Sequence, residues 1–357
     1  MPVIDADTHV DENDETWDYI PEGYEYYRPT TVVQAEYSET AKLPYGNNRF
    51  WLIDGSFHMR RFRSEERTRT TEAKRELKDI EARLRDMDAL GIDYQVCYPT
   101  LLATTPTGRA EVEFALTKAY NRWMAARCKE SGGRLKFLAI LPMLTMDEAV
   151  KELEFARENG AVGISRKGIE CGRPAGDPYF YPVYEAAKAL DMAVCFHTGT
   201  GDPQRHDADF RMHSPWHFNY PVFDAFTSLV LTGVPNKFNG LRFGFVEAMA
   251  SWVPLCLADL RARNERTGWM QSFDLKTDLF RQCNFYVACQ TVEDVPYIMQ
   301  HTGEDYLIAG TDYSHADQSA EIETLSTIRQ WGEDGYITKT QARKILEDNP
   351  ARLYGIS

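Results

Sequence analysis

Eight short apolar runs recur along the 357 residues, each followed by a helix or by a loop and a helix. They are Ile4–Val10, Asp93–Tyr98, Leu135–Leu141, Ala161–Ser165, Ala193–His197, Leu241–Glu247, Asn284–Cys289 and Tyr306–Asp312. Parallel strands require such crossovers. Eight of these units predict closure into a (β/α)8 TIM barrel, an α/β fold. The competing architecture is an open doubly wound sheet, but no Gly-x-Gly-x-x-Gly follows the first run. Over residues 70–90, Leu77, Ile80, Leu84 and Met87 fall at three- and four-residue spacing and predict one helix. Other helices are expected over 110–130, 147–159, 180–190, 220–232, 249–263, 291–301, 318–332 and 338–347.

A barrel of this kind takes about 250 residues, leaving roughly a hundred for insertions. Residues 11–66 are the main candidate, rich in aromatics (Trp17, Tyr24, Tyr27, Phe50, Trp51 and Phe57 among them). Residues 49–57 predict a hairpin turning at Asp54-Gly55. So long a connection is uncommon unless it has a task. Its place after the first strand predicts a lid within a single domain; the alternative is a surface decoration. The formal charge of −14 argues against a nucleic-acid or anionic-membrane surface, but leaves room for an anionic small-molecule substrate. No run of eighteen apolar residues exists to span a membrane, and no basic-then-apolar segment opens the chain. Seven scattered cysteines without a Cys-x-x-Cys pair read as reduced thiols, hence a cytoplasmic protein.

In such a barrel the C-terminal strand ends converge on one mouth. The metal-philic residues gather at those ends: Asp7 and His9 on the first strand, His197 on the fifth, Glu247 on the sixth and Asp312 on the eighth. Asp7 and His9, two apart on a strand, share a face about 7 Å apart along the chain and can serve one divalent cation. Asp5, in phase with them, is expected as an outer partner holding the ring of His9. Each residue also has a plain alternative. His197 could bond its own turn, Glu247 could be relieved by Arg242 or Arg166, and Asp312 could cap the segment after it. Together they are a stronger signal than any one of them. Three carboxylates and two histidines suit zinc, iron(II) or manganese comparably, as one ion or two.

These segments resemble the amidohydrolase superfamily, specifically the amidohydrolase-related branch that includes aminocarboxymuconate-semialdehyde decarboxylase-like enzymes. The resemblance rests on Asp5-Ala6-Asp7-Thr8-His9, where the family usually carries Asp-x-His-x-His, and on Cys195-Phe196-His197-Thr198-Gly199. It continues through Gly310-Thr311-Asp312-Tyr313-Ser314-His315 and the ending Asp348-Asn349-Pro350-Ala351-Arg352-Leu353-Tyr354-Gly355. Trp51-Leu52-Ile53-Asp54-Gly55 resembles members acting on aromatic or unsaturated acids. The resemblance implies a homodimer. Two positions depart from the pattern. Asp7 stands where a histidine is usual, and so does Glu247, where the histidine of decarboxylating relatives is thought to deliver a proton to carbon.

The expected activity is metal-dependent hydrolysis of an ester, thioester, amide or C–C bond in a hydrophobic or aromatic acid. The cation lowers the pKa of a bound water towards about 7, and Asp312 accepts and returns the proton. Asp7, His9, His197 and Glu247 hold the metal with Asp312. His315 is expected beside the reaction, and Arg166, His213 and His217 are expected on the substrate, with Lys167 as a solvated or ligand-facing neighbour. Two alternatives stay open: non-oxidative decarboxylation of an aromatic or muconate-type acid, and a non-catalytic metal-binding barrel.

Overall fold

The computed structural model describes residues 1–33, 49–60, 63–198, 215–268, 273, 275, 278–315 and 320–357. Eight strands form one sheet: β1 (Ile4–Val10), β2 (Tyr94–Pro99), β3 (Leu135–Ala139), β4 (Ala161–Arg166), β5 (Ala193–His197), β6 (Phe243–Val246), β7 (Phe285–Ala288) and β8 (Leu307–Ile308). They are hydrogen-bonded in chain order, every paired neighbour parallel. The ends meet. Thr8 bridges Tyr313, and the amides of Ala6, Asp312 and His9 donate to the carbonyls of Ala309 (3.1 Å), Asp7 (3.0 Å) and Tyr313 (2.9 Å). Gly310 permits this approach, because a Cβ there would collide with the Asp7 backbone. The ring is a (β/α)8 barrel.

The crossover helices are α1 (Ile80–Leu90), α2 (Ala110–Glu130), α3 (Met146–Glu158), α4 (Tyr181–Ala189), α5 (Pro215–Thr232), α6 (Trp252–Thr267), α7 (Val295–Thr302) and α8 (Thr324–Asp334). The expected helix over 70–90 is broken in two. A short helix, Glu72–Arg75, ends before Leu77 at φ 52°, and Asp79 recaps the chain through the amide of Ala82. Apolar side chains divide between two layers. Phe137, Phe196 and Phe245 pack outward against helices. Ile4, Val96, Leu138, Val246 and Ile308 fill the lumen, joined by Leu353 and Tyr354 of the terminal helix Asn349–Tyr354. No described helix is long and apolar enough to cross a membrane.

Within residues 11–66, Thr30–Val33, Arg49–Ile53 and Ser56–Met59 form an antiparallel sheet. Asp54 (φ 48°) and Gly55 (φ 77°) make the expected tight turn, two left-handed residues whose twist suits a hairpin. Trp51 is 1% exposed and meets Trp17 edge to face at 5.7 Å, fastening the hairpin to the barrel side.

A break in register positions the first two candidate ligands. Ile4 and Asp5 pair with Tyr94 and Gln95, whereas Thr8 and His9 pair with Cys97 and Tyr98. The β1 strand therefore carries one extra residue, a bulge that changes which side chains face inward. Asp7 and His9 turn into the mouth, while Asp5 turns outward towards Gln95.

Candidate metal centre

Four strands deliver the cluster. Asp7 and His9 come from β1, His197 ends β5, and Glu247 and Asp312 immediately follow β6 and the β8 segment. Glu247 (φ 55°) and Asp312 (φ 50°) both adopt the left-handed backbone region, which non-glycine residues seldom occupy. Such strain persists where surrounding structure imposes it, and it is concentrated at functional sites. Here both carboxylates join the cluster. All five side chains are buried.

The atoms converge on one point. His9 Nε2 lies 3.1 Å from His197 Nε2, 3.4 Å from Glu247 Oε2, 3.4 Å from Asp312 Oδ1 and 3.7 Å from Asp7 Oδ1. His197 Nε2 lies 2.8 Å from Glu247 Oε2 and 3.6 Å from Asp7 Oδ1. Ligands bound at 2.0–2.2 Å in a tetrahedral or octahedral shell stand about 3–3.5 Å apart. The cluster has that spacing. His315 extends it: Asp7, His9, His197 and Glu247 form one four-residue group, and His9, Glu247, Asp312 and His315 form another.

Hydrogen bonding tests whether a cation suits the centre. His9 Nδ1 donates to the Pro99 carbonyl at 3.0 Å, and His197 Nδ1 donates to the Thr198 carbonyl at 2.7 Å. Carbonyls only accept, so each Nδ1 carries the hydrogen and each neutral ring presents a bare Nε2 lone pair to the other. Two lone pairs 3.1 Å apart repel unless a cation or a proton lies between them. Asp7 Oδ1 is buried without a hydrogen-bond partner, an orphaned acceptor whose charge a cation would balance. A divalent metal ion fits these residues.

Without a metal, protons take its place. Burial opposes the imidazolium of His197, but Glu247 and Asp7 outweigh it and push its pKa up to about 10. Burial likewise acts to raise Glu247, but the imidazoles of His197 and His9 hold its carboxyl well below the usual range. His315 stacks on His9 with ring centroids 3.7 Å apart and points Nδ1 at Asp312 Oδ1, 2.8 Å away. Its Nε2 lies 3.3 Å from Thr100 Oγ1. Thr100 also lines a cavity of about 560 Å³ bounded by the Trp51 hairpin, Asp11, Glu12, Arg75 and the loop after β2. No candidate ligand lines this space, and its link to the cluster is the contact of Thr100 with His315.

Other expected contacts fall elsewhere. Arg166 is buried on the outer side of β4. It donates to Glu170 Oε2 and the Tyr184 hydroxyl, both at 2.8 Å, and stacks 3.7 Å over Phe180, so it does not face the cluster. Lys167 Nζ lies 3.5 Å from Glu170 Oε1. Asp5 does not touch the ring of His9, a correction that follows from the bulge. It accepts instead from the Thr311 amide (2.8 Å) and hydroxyl (2.7 Å), while the Pro99 carbonyl orients His9. His206 and His213 lie outside the described residues, as does the side chain of His217. Sequence reasoning missed Tyr98, whose ring lies 4.8 Å from His197 and 6.0 Å from His9, and also Thr100. Their only signal was position at the end of β2.

Comparisons with known proteins agree with this architecture. An amidohydrolase from Mycobacterium avium subsp. paratuberculosis K-10 superposes with a TM-score of 0.78 at 18% identity, over 100% of this chain and 98% of that one. The 5-carboxyvanillate decarboxylase LigW of Sphingomonas paucimobilis gives 0.62 at 19% identity, over 77% and 83%. A dihydroxybenzoic acid decarboxylase from Polaromonas sp. JS666, with bound manganese and the inhibitor 2-nitroresorcinol, gives 0.64 at 19% identity, over 77% and 86%. No curated protein matches the sequence at a significant level. The sequence profile of the amidohydrolase family matches residues 4–356, nearly the whole chain, and the protein belongs to that family.

Proposed function

We propose that this chain is a metal-dependent lyase that removes the carboxyl group of a small aromatic or unsaturated acid without oxidation. The reading is carried by the meeting of a carboxylate-rich cation site with the Asp312–His315 pair, 2.8 Å apart, whose His315 bonds Thr100 on the wall of a 560 Å³ cavity. A divalent cation held by Asp7, His9, His197 and Glu247 supplies Lewis-acid polarisation of a substrate oxygen. Asp312 and His315 supply the proton that replaces carbon dioxide on the substrate carbon, a general-acid role. Burial of the pair keeps that proton from exchanging freely with water. The decarboxylating activities in the names of LigW and the Polaromonas enzyme support this reaction over others of the family.

Hydrolysis of an ester, thioester or amide is the second reading, favoured by one observation. Glu247, a carboxylate, stands where decarboxylating relatives are thought to use a histidine, and it suits taking a proton from water. The two differ in product. Manganese-loaded protein is incubated with hydroxybenzoates, vanillate-type and muconate-type acids carrying isotopic label in the carboxyl group and, separately, with their esters, thioesters and amides. Labelled carbon dioxide is expected; a new acid product without it supports hydrolysis instead. Asp312→Asn is expected to lower turnover about 10²–10⁴-fold, and unchanged turnover removes Asp312 from the reaction.

A further inference from the structure

The end of β1, which carries two of the candidate ligands, is paired to β2 through Thr8, His9 and Val10 and bonded to the β8 end by three backbone hydrogen bonds, but its ladder is irregular. On one side lies the bulge between Asp5 and Thr8, and on the other a single bridge joins Thr8 to Tyr313. The eighth strand holds its other neighbour through only two residue pairs. The bulge interrupts the regular ladder on one side and the short eighth strand limits it on the other, so side-chain contacts add to the fixing of the ligand-bearing backbone.

Side chains close the gap. Arg83 projects from α1 into this seam and is fully buried. Its Nη1 donates to the His9 carbonyl at 2.9 Å, its Nη2 to Thr8 Oγ1 at 3.3 Å and its Nε to Gln95 Oε1 at 2.8 Å. Gln95 donates on to Asp5 Oδ2 at 3.4 Å, and Asp5 accepts from Thr311. Thr311 Oγ1 in turn accepts from the Tyr313 amide at 3.1 Å, and the Tyr313 ring lies under the Arg83 guanidinium at 4.5 Å. The result is a closed ring of contacts through α1, β1, β2 and the β8 end. It encloses the backbone on both sides of the seam, beneath His9 and Asp312. Among the described residues no carboxylate pairs with Arg83, and a buried cation bonded only to neutral groups is a poor choice for stability alone.

We propose that Arg83 is a positioning residue for the metal centre, fixing His9 through its carbonyl and holding Asp312 in register across the seam. The inference rests on the cation-site reading above. The planar fork of guanidinium matters, because three oxygen acceptors and the Cys97 sulfur, 3.7 Å from Nη2, lie around it in different directions and an ammonium cannot reach them all.

The test is metal affinity measured by chelator competition, alongside metal-free melting temperature, for the wild-type chain, Arg83→Met, Arg83→Lys and Asn121→Ala. Asn121 is equally buried and bonds the Ile140 backbone and Glu152, at the end of a strand that bears no candidate ligand. Manganese affinity is expected to fall about 10–100-fold in Arg83→Met, the range for groups that orient metal ligands. It should fall several-fold in Arg83→Lys, while Asn121→Ala melts earlier and keeps wild-type affinity. Affinity within twofold of wild type in Arg83→Met overturns the proposal, and if that variant does not fold the same result in Arg83→Lys does so. A wild-type chain that binds no manganese overturns the metal centre itself, and with it any role of Arg83 there.

Discussion

At the scale of single residues, the chemistry of this site is a competition between a metal ion and a proton for one imidazole nitrogen. His197 Nδ1 is committed to a carbonyl, so only Nε2 is available, and Glu247 at 2.8 Å favours whatever positive charge arrives there. With its pKa pushed up to about 10, His197 is protonated in the metal-free chain at neutral pH. A metal must therefore expel that proton. Metal uptake at pH 7 is expected to release close to one proton from His197, measured by calorimetry in buffers of different ionisation enthalpy. The logarithm of affinity should rise by about one per pH unit until pH approaches 10. A pH-independent affinity across that range would mean that His197 is not a ligand. The same shift sets a stability trend in the absence of metal. The folded value exceeds the ordinary 6.5, so the stabilisation from the His197 proton is complete below about pH 6.5 and fades as pH rises through about 10. Melting of the metal-free chain between pH 7 and 10 should decline accordingly, and His197→Asn should flatten the decline.

At the scale of elements, the hairpin and the barrel have separable roles. Trp51 is buried against Trp17, yet no candidate ligand lies on its hairpin. Trp51→Ala removes a large side chain from a packed contact and is expected to cost about 3–5 kcal/mol where it packs. That loss should appear as faster proteolysis of residues 49–59 and reduced turnover, with metal stoichiometry unchanged; loss of metal in this variant would tie the hairpin to the centre directly. The hairpin itself was legible, because Asp54-Gly55 between apolar runs specifies a two-residue turn by local chemistry alone. So were the eight strands and their closure, since periodicity and crossovers are local patterns repeated. Asp7, His9, His197, Glu247 and Asp312 were legible as strand-end residues. Asp5 was not, because a bulge depends on how β1 pairs with β2, and strict alternation assigns Asp5 to the wrong face. The contacts of Arg166 were equally hidden: a cation after a strand reads as solvent- or ligand-facing, and only the fold supplies Glu170, Phe180 and Tyr184 around it. The break at Leu77 was masked by its fit to the apolar stripe of the predicted helix.

At the scale of the whole molecule, the centre is a cross-link in a ring whose weakest join lies beside it. The candidate ligands come from β1, β5, β6 and the β8 end, half of the barrel strands, and β1 meets β8 through one bridge and a few backbone bonds. An ion that binds only the folded arrangement stabilises it by mass action, about 4 kcal/mol at a thousandfold excess over Kd. For a chain of 357 residues, with an unfolding entropy of about 2.1 cal/mol/K per residue, that corresponds to a rise in Tm of roughly 5 °C. Chelation should reverse the rise, and His9→Ala should abolish it, because His9 belongs to both ligand groups. The location of the effect matters as much as its size. Hydrogen exchange should show metal-dependent protection at the amides of Ala6, His9 and Asp312, which bond across the join. The amides of β3 and β4, which bear no candidate ligand, should change little. Uniform protection around the ring would mean that the ion acts on global stability alone, and a barrel closed by its ladder would then need no cation at the seam.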